Sequence, residues 1–180
     1  MMCAMRTSWS IATTLVLVLS VSAFAQVKKA EVPGITNFSR VDATVGCGGA
    51  TAPAAMAGLK KEGFVSVINL RLAGESGADV DAGRAAAQAA GLKYIHLPFD
   101  ASKPDHAVVE KFLTSVADRS NQPVYIHCGS ANRVGAVWMI KRALQDGWDI
   151  DKARAEAEAI GLTNARLREF AVEYIQAHRK

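Results

Sequence analysis

Two rhythms of apolar and polar positions alternate along the chain. Phe64 to Leu70 (FVSVINL) is a nearly continuous β-branched and apolar run, the pattern of a strand buried on both faces of a parallel sheet. Tyr94–Leu97 and Pro123–His127 are shorter runs of the same kind. Between and after them the spacing becomes helical. Thr51 and Pro53 open a helix that runs to about Glu62 and is stopped by Gly63. Asp79–Ala90 is alanine-rich and closed by Gly91, and Asp105 to about Arg119 is a further helix. From Asn132 to Gln145 the core side is Val134, Val137, Met139, Ile140 and Leu144. Asp149–Ile160 and Asn164 to about His178 complete the series, the last with Leu167, Phe170, Ala171, Tyr174 and Ile175 on one side. Phe38 to Val45 reads as short extended segments ending in a Gly46-Cys47-Gly48-Gly49 turn, and residues 26–36, polar and broken by Pro33-Gly34, read as an irregular leader.

Strands alternating with helices predict an α/β fold with a mainly parallel central sheet flanked by helices and closed by helices at the C-terminal end. Residues 37–180 fit one domain with a core large enough to fold without staples. Parallel sheets bind ligands beyond the carboxyl ends of their strands, which directs attention to the loops after Leu70, Leu97 and His127.

Ahead of the domain, residues 1–25 have the parts of a secretory signal peptide: Arg6, an apolar stretch from Ile11 to Val21, and a small-residue exit at Ala23-Phe24-Ala25. That stretch is about half the ~20 residues needed to cross hydrocarbon. Cys3 precedes it, whereas a lipid-anchored cysteine would follow. The expectation is an exported protein, periplasmic or secreted, with no membrane span in the mature chain.

Charge excludes little but excludes it usefully. The 21 Lys and Arg against 17 Asp and Glu are scattered, many on the last helices beside acids, too mild a balance for a nucleic-acid partner. A mildly basic surface still attracts an anionic substrate. Export leaves two cysteines, Cys47 and Cys128, far apart and without the spacing of a zinc site, so neither a metal nor a cofactor is expected. In an oxidising compartment the pair also fits a disulfide.

The informative segment is Pro123 to Ala136 (PVYIHCGSANRVGA), where a buried strand delivers Cys128 into a small-residue loop and then a helix. Gly129, Ser130, Ala131 and Asn132 let backbone N–H groups converge on an anion, and the helix aims its positive end at the same point. Both favour the thiolate of Cys128, which is the reactive form of the thiol. Arg133 offers a planar fork to two oxygens of a phosphate. The plain alternative for Cys128 is a small core hydrophobe at a strand end. His127 should point to the opposite face of the strand from Cys128 and hydrogen-bond the loop from beneath.

These residues resemble bacterial tyrosine and dual-specificity phosphatase-like proteins of the beta-lactamase-hydrolase-associated phosphatase-like type. The resemblance rests on Phe38-Ser39-Arg40-Val41, Gly46-Cys47-Gly48-Gly49, Val67-Ile68-Asn69-Leu70-Arg71, Gly91 through Pro98, and His127-Cys128 through Arg133-Val134-Gly135-Ala136. It implies a cysteine-phosphatase-like three-layer fold and hydrolysis of a phosphorylated protein or small phosphate ester through a phosphocysteine. In that scheme Cys128 attacks phosphorus, the loop amides and Arg133 hold the oxygens, and an aspartic acid protonates the leaving group. Asp100, just after Leu97-Pro98-Phe99, matches the loop that carries this acid, with Asp105 as substitute and turn or helix capping as the plain alternative. Arg71 either lines the same pocket or pairs with Glu75. The resemblance also places Cys47 near the loop as a possible redox partner of Cys128.

Two positions depart from the tyrosine-phosphatase signature: four residues rather than five separate Cys128 from Arg133, and Val134 stands where Ser or Thr is usual. The shorter loop also fits a rhodanese-like sulfurtransferase, but the Asp-x-Arg strand and Gly-His-Ile-x-Gly-Ala segment usual in those domains are absent. A catalytically slow phosphate-binding module is the third reading.

Overall fold

The computed structural model describes residues 27–179; the expected signal peptide and its exit site lie outside them. Among these residues one sheet contains β1 (Lys28–Lys29), β2 (Ser39–Arg40), β3 (Val45–Gly48), β4 (Ser66–Asn69), β5 (Lys93–His96) and β6 (Val124–His127), in the order β1-β2-β3-β6-β4-β5. β3, β6, β4 and β5 run parallel, and β1 and β2 add antiparallel at one edge. The helices are α1 (Met56–Lys61), entered through a 3₁₀ turn at Pro53–Ala55, α2 (Val80–Ala89), α3 (His106–Ala117), α4 (Asn132–Leu144), α5 (Ile150–Ile160) and α6 (Ala165–His178). No helix among the described residues is long and apolar enough to cross a membrane.

The mainly parallel, three-layer architecture follows from how the strands divide their side chains. In β6, Val124 and Ile126 face a core shared with α3, α4, α5 and α6, while Tyr125 faces a second core shared with α1 and α2. In β4, Ile68 and Val67 divide in the same way. Every residue of both strands is buried, the two-faced burial that the continuous apolar run predicts.

Capping sets the helix starts. Asp79, Asp105, Asp149 and Asn164 each accept a first-turn backbone N–H, so helices read as beginning at those residues begin one later. α4 is locked to α5 where Glu156 accepts from Trp138 Nε1 at 2.7 Å and from Arg142 Nε at 2.6 Å.

Two N-terminal readings are corrected. The leader is irregular only in part: at Lys28–Lys29 β1 pairs with β2, and Lys29 Nζ donates to the Ile160 carbonyl at the end of α5 at 2.7 Å. The glycine-rich segment around Cys47 is strand β3 rather than a turn. Its glycines serve close approach, because a Cβ at Gly46 would stand 2.5 Å from Phe64 Cζ and one at Gly48 2.1 Å from the Tyr125 hydroxyl.

Candidate active site

β6 ends at His127, and the chain passes through Cys128, Gly129, Ser130 and Ala131 into the first turn of α4. The loop is drawn tight by a left-handed residue, Ala131, at φ 71° and fully buried, a conformation that ordinarily favours glycine. Cys128 N–H donates to Gly48 O at 3.3 Å and Ala50 N–H donates to Gly129 O at 3.0 Å, which ties the loop to the segment after β3. Among the described residues no acceptor takes the N–H groups of Gly129, Ser130, Ala131 or Asn132. They lie at the positive end of a 13-residue helix.

The side chain of Asn132 has a different task. Its Oδ1 accepts the N–H groups of Thr163 and Asn164 at 2.8 and 2.7 Å, and its Nδ2 donates to Ser130 Oγ at 3.2 Å. The loop is thereby fastened to the entrance of α6. Val134 is fully buried in the core and offers the sulfur no hydroxyl.

Arg133, in the first turn of α4, is 9 % exposed. Its Nη1 donates to Glu75, to Leu70 O at 3.2 Å and to Phe99 O at 3.1 Å, and Nη2 donates to Glu75 Oε2 at 2.8 Å. Burial opposes the guanidinium charge, but the bonds to Glu75 and the nearby Cys128 sulfur raise its pKa above the ordinary arginine value. One edge of the guanidinium is thus anchored and the group is brought to the cysteine.

Glu75 is the residue that sequence reasoning placed only as a partner for Arg71. It does pair with Arg71, whose Nε donates to Oε2 at 3.2 Å, but it also accepts Leu72 N–H at 2.8 Å and grips Arg133. Partial burial works against the carboxylate, yet the bonds from Arg133, Leu72 and Arg71 bring its pKa down to about 2. An arginine at a strand end followed by an acid four residues later was the available signal. The third partner, 58 positions away, was not visible.

A cleft of about 390 Å³ above the loop is lined by Arg133, Ser130, Asn132, Glu75 and Asp100. Asp100 Oδ1 accepts from Ser102 Oγ at 2.7 Å and from Ser102 N at 2.8 Å; these bonds, with a smaller contribution from the Arg133 charge, hold its pKa below the ordinary aspartate value. Asp105 caps α3 through Ala107 N–H at 2.8 Å and does not line this cleft.

Cys47 and Cys128 are both free and buried. Cys47 stands opposite Ile126, which makes Cys128 its diagonal neighbour. A strand spacing of about 4.8 Å and two residues' rise put such Cα atoms roughly 8 Å apart, beyond the usual ~4.4–6.8 Å of a disulfide. Burial, then the charges of Glu156 and Asp42, push the Cys47 pKa well above its ordinary value.

His127 does face away from Cys128, and its ring stacks on Tyr125 at 5.8 Å. It does not brace the loop by hydrogen bonding as expected. The backbone of Cys128 and Gly49 lies close, but neither ring nitrogen reaches hydrogen-bonding geometry. Burial, then the Arg71 charge, lowers its pKa to about 3 and keeps the imidazole neutral.

Among the described residues no group of three His, Cys, Asp or Glu is disposed to hold a metal ion. The arrangement sets a thiol and an anchored guanidinium beside a loop whose N–H groups take no partner among the described residues.

Residues 37–145 match the family model of the phosphatase-like domain of beta-lactamase hydrolase-like proteins. No curated protein matches the chain in sequence. In three dimensions the chain is similar to P. aeruginosa TpbA, with 24 % identity, a TM-score of 0.65 and coverage of 86 % of this chain and 91 % of that one. TpbA is also known in complex with phosphotyrosine. It is similar too to the catalytic domain of the S. cerevisiae PP-IP phosphatase SIW14, with 20 % identity, a TM-score of 0.67 and coverage of 80 % and 88 %. These likenesses establish the cysteine-phosphatase-like fold.

Proposed function

Given that the chain belongs to the family of the phosphatase-like domain of beta-lactamase hydrolase-like proteins, we propose that it hydrolyses phosphate monoesters through a phosphocysteine formed on Cys128. The observation that carries this reading is the Arg133 guanidinium held beside the Cys128 sulfur, next to a loop whose 129–132 N–H groups take no partner among the described residues.

The thiolate attacks phosphorus as the bond to the leaving oxygen breaks. Arg133 and the loop amides hold the non-bridging oxygens, which carry charge in the transition state. Asp100, from the loop after β5, gives its proton to the leaving oxygen. Unliganded, Ser102 holds Asp100 ionised; a phosphate dianion in the cleft opposes that negative charge and favours the protonated acid. Water then attacks the phosphocysteine, Asp100 takes its proton, and the sulfur leaves as thiolate. With Val134 in place of a hydroxyl donor the departing sulfur is less well stabilised, which makes this second step the slow one.

The substrate class we infer is an aryl phosphate, a phosphorylated protein or a small phosphate ester, encountered outside the cytoplasm if residues 1–25 direct export. A panel of aryl phosphates, phosphopeptides, phosphoinositides and thiosulfate tests the assignment. Cys128-dependent release of phosphate is expected. Cys128-dependent transfer of sulfur from thiosulfate to cyanide, with every phosphate inert, would replace this reading with the sulfurtransferase one. N-terminal sequencing of the exported protein is expected to begin at Gln26; recovery of a membrane-bound chain retaining Met1 would overturn export.

A further inference from the structure

The carboxyl edge of the sheet opens on two sides, and the chemistry above uses one. On the α1/α2 side a separate cavity of about 490 Å³ lies between the 50–53 loop and the start of α2, with the ends of β4 and β6 as its floor. None of residues 128–133 lines it, because Cys128 projects into the other core. Its position is the ligand crevice of open α/β sheets, and its volume is that of a small-molecule pocket.

The floor carries an unanswered polar group. His127 is 3 % exposed and makes no well-formed hydrogen bond at either ring nitrogen, a condition unfavourable for any buried donor or acceptor. A ligand oxygen over the ring would relieve it.

Charge on the walls selects the sign of that ligand. Arg71, 7 % exposed, brings a buried cation to the cavity; Glu75 and the carbonyls of Ser76 and Gly77 engage its donors, so it acts through its field and not as a free fork. The ten-residue helix α2 starts at the same wall and adds the positive end of its dipole. Asp79 also stands there, capping Ala82 N–H at 2.8 Å, and opposes a second negative charge. Ile35, Met56 and Tyr94 make the remainder largely apolar.

We propose that this cavity is a second binding site, for a small organic monocarboxylate whose oxygen meets His127 and whose apolar body lies against Met56 and Tyr94. A phosphate dianion fits it poorly, with no free guanidinium fork to receive it and the Asp79 carboxylate facing it. The inference does not depend on the hydrolytic activity.

Calorimetric titration of the protein with benzoate tests it, with the ring resonances of His127 as a local reporter. The expected result is one-site binding with a shift of those resonances, unchanged in Cys128→Ser and in saturating inorganic phosphate. Ala78→Leu and Ala52→Leu fill the cavity from two different loops, and each should weaken binding at least tenfold. Absence of binding, displacement of benzoate by phosphate, or indifference to both filling variants would overturn the proposal.

Discussion

Glu75 and Arg133 are 58 positions apart in sequence and form a bidentate ion pair in which Oε2 receives Nη2 at 2.8 Å and Oε1 receives Nη1. The same Oε2 accepts from Arg71 Nε at 3.2 Å, so one carboxylate joins the strand-end loops after β4 and β6. A long, flexible arginine beneath an anion loop has many rotamers; this pair, with the carbonyls of Leu70 and Phe99, selects one.

Glu75→Gln keeps the shape and removes the charge, leaving Arg71 and Arg133 without their shared counter-ion. Lost hydrogen bonds to charged groups of this kind cost roughly 1.5–3 kcal/mol, and a displaced arginine lowers kcat/KM on the order of 100-fold. Denaturation midpoints and aryl phosphate kinetics measure the two effects. Wild-type kinetics in this variant would reduce Glu75 to a surface acid.

The same pair predicts a pH dependence of stability. The folded Glu75 pKa, about 2, lies below that of the unfolded chain, so its contribution is present above the ordinary glutamate value and is lost as pH falls toward 2. Stability measured from pH 5 downward should fall less steeply in Glu75→Gln than in wild type. Superimposable curves would contradict the assignment.

Cys128 and Arg133 should separate in their effects. Cys128→Ser removes the nucleophile but leaves the cradle, so hydrolysis disappears while phosphate still binds. Arg133→Lys keeps the charge but loses both the planar fork and the two-point attachment to Glu75, so binding and turnover both fall. Equilibrium binding of inorganic phosphate and steady-state kinetics distinguish the two outcomes.

Asp100 can protonate the leaving group only when it carries the proton itself, and its pKa is held down chiefly by Ser102. In kcat/KM, which reports the first step, Asp100→Asn should slow substrates with poor leaving groups by ~100-fold to ~10,000-fold and good ones far less. Ser102→Ala removes the hydroxyl that favours the ionised form, so the basic limb of the pH–rate profile moves to higher pH. A limb that stays in place would assign the proton to another group.

Ala131 holds φ 71° while fully buried. A left-handed non-glycine residue carries about 1–2 kcal/mol of strain, and glycine gives back about 0.5–1 kcal/mol through the unfolded chain. Ala131→Gly should therefore be stabilising by up to about 1 kcal/mol in denaturant titrations. A clear destabilisation would mean that the Ala131 methyl contributes more to packing than its backbone costs.

The local pattern of the sequence determined the layers of this protein and the place of its chemistry. A two-faced apolar run such as Phe64–Leu70 is stable only between two helical layers, and a strand that passes through Cys128 into small residues and a helix sets that loop at the carboxyl end of the sheet. Strand–loop–helix signals are carried by neighbours in sequence, which is why the course of the chain from β6 through Cys128 to Arg133 was legible. Tertiary structure alone decided what lies far apart in the chain: β6 between β3 and β4, the leader completing the edge as β1, Glu75 beneath Arg133, and Cys47 one diagonal away from Cys128. An ion pair across 58 positions leaves no periodicity to read. Whether a buried imidazole finds a partner depends on which surfaces the packed sheet and helices bring over it, and at His127 they leave a cavity.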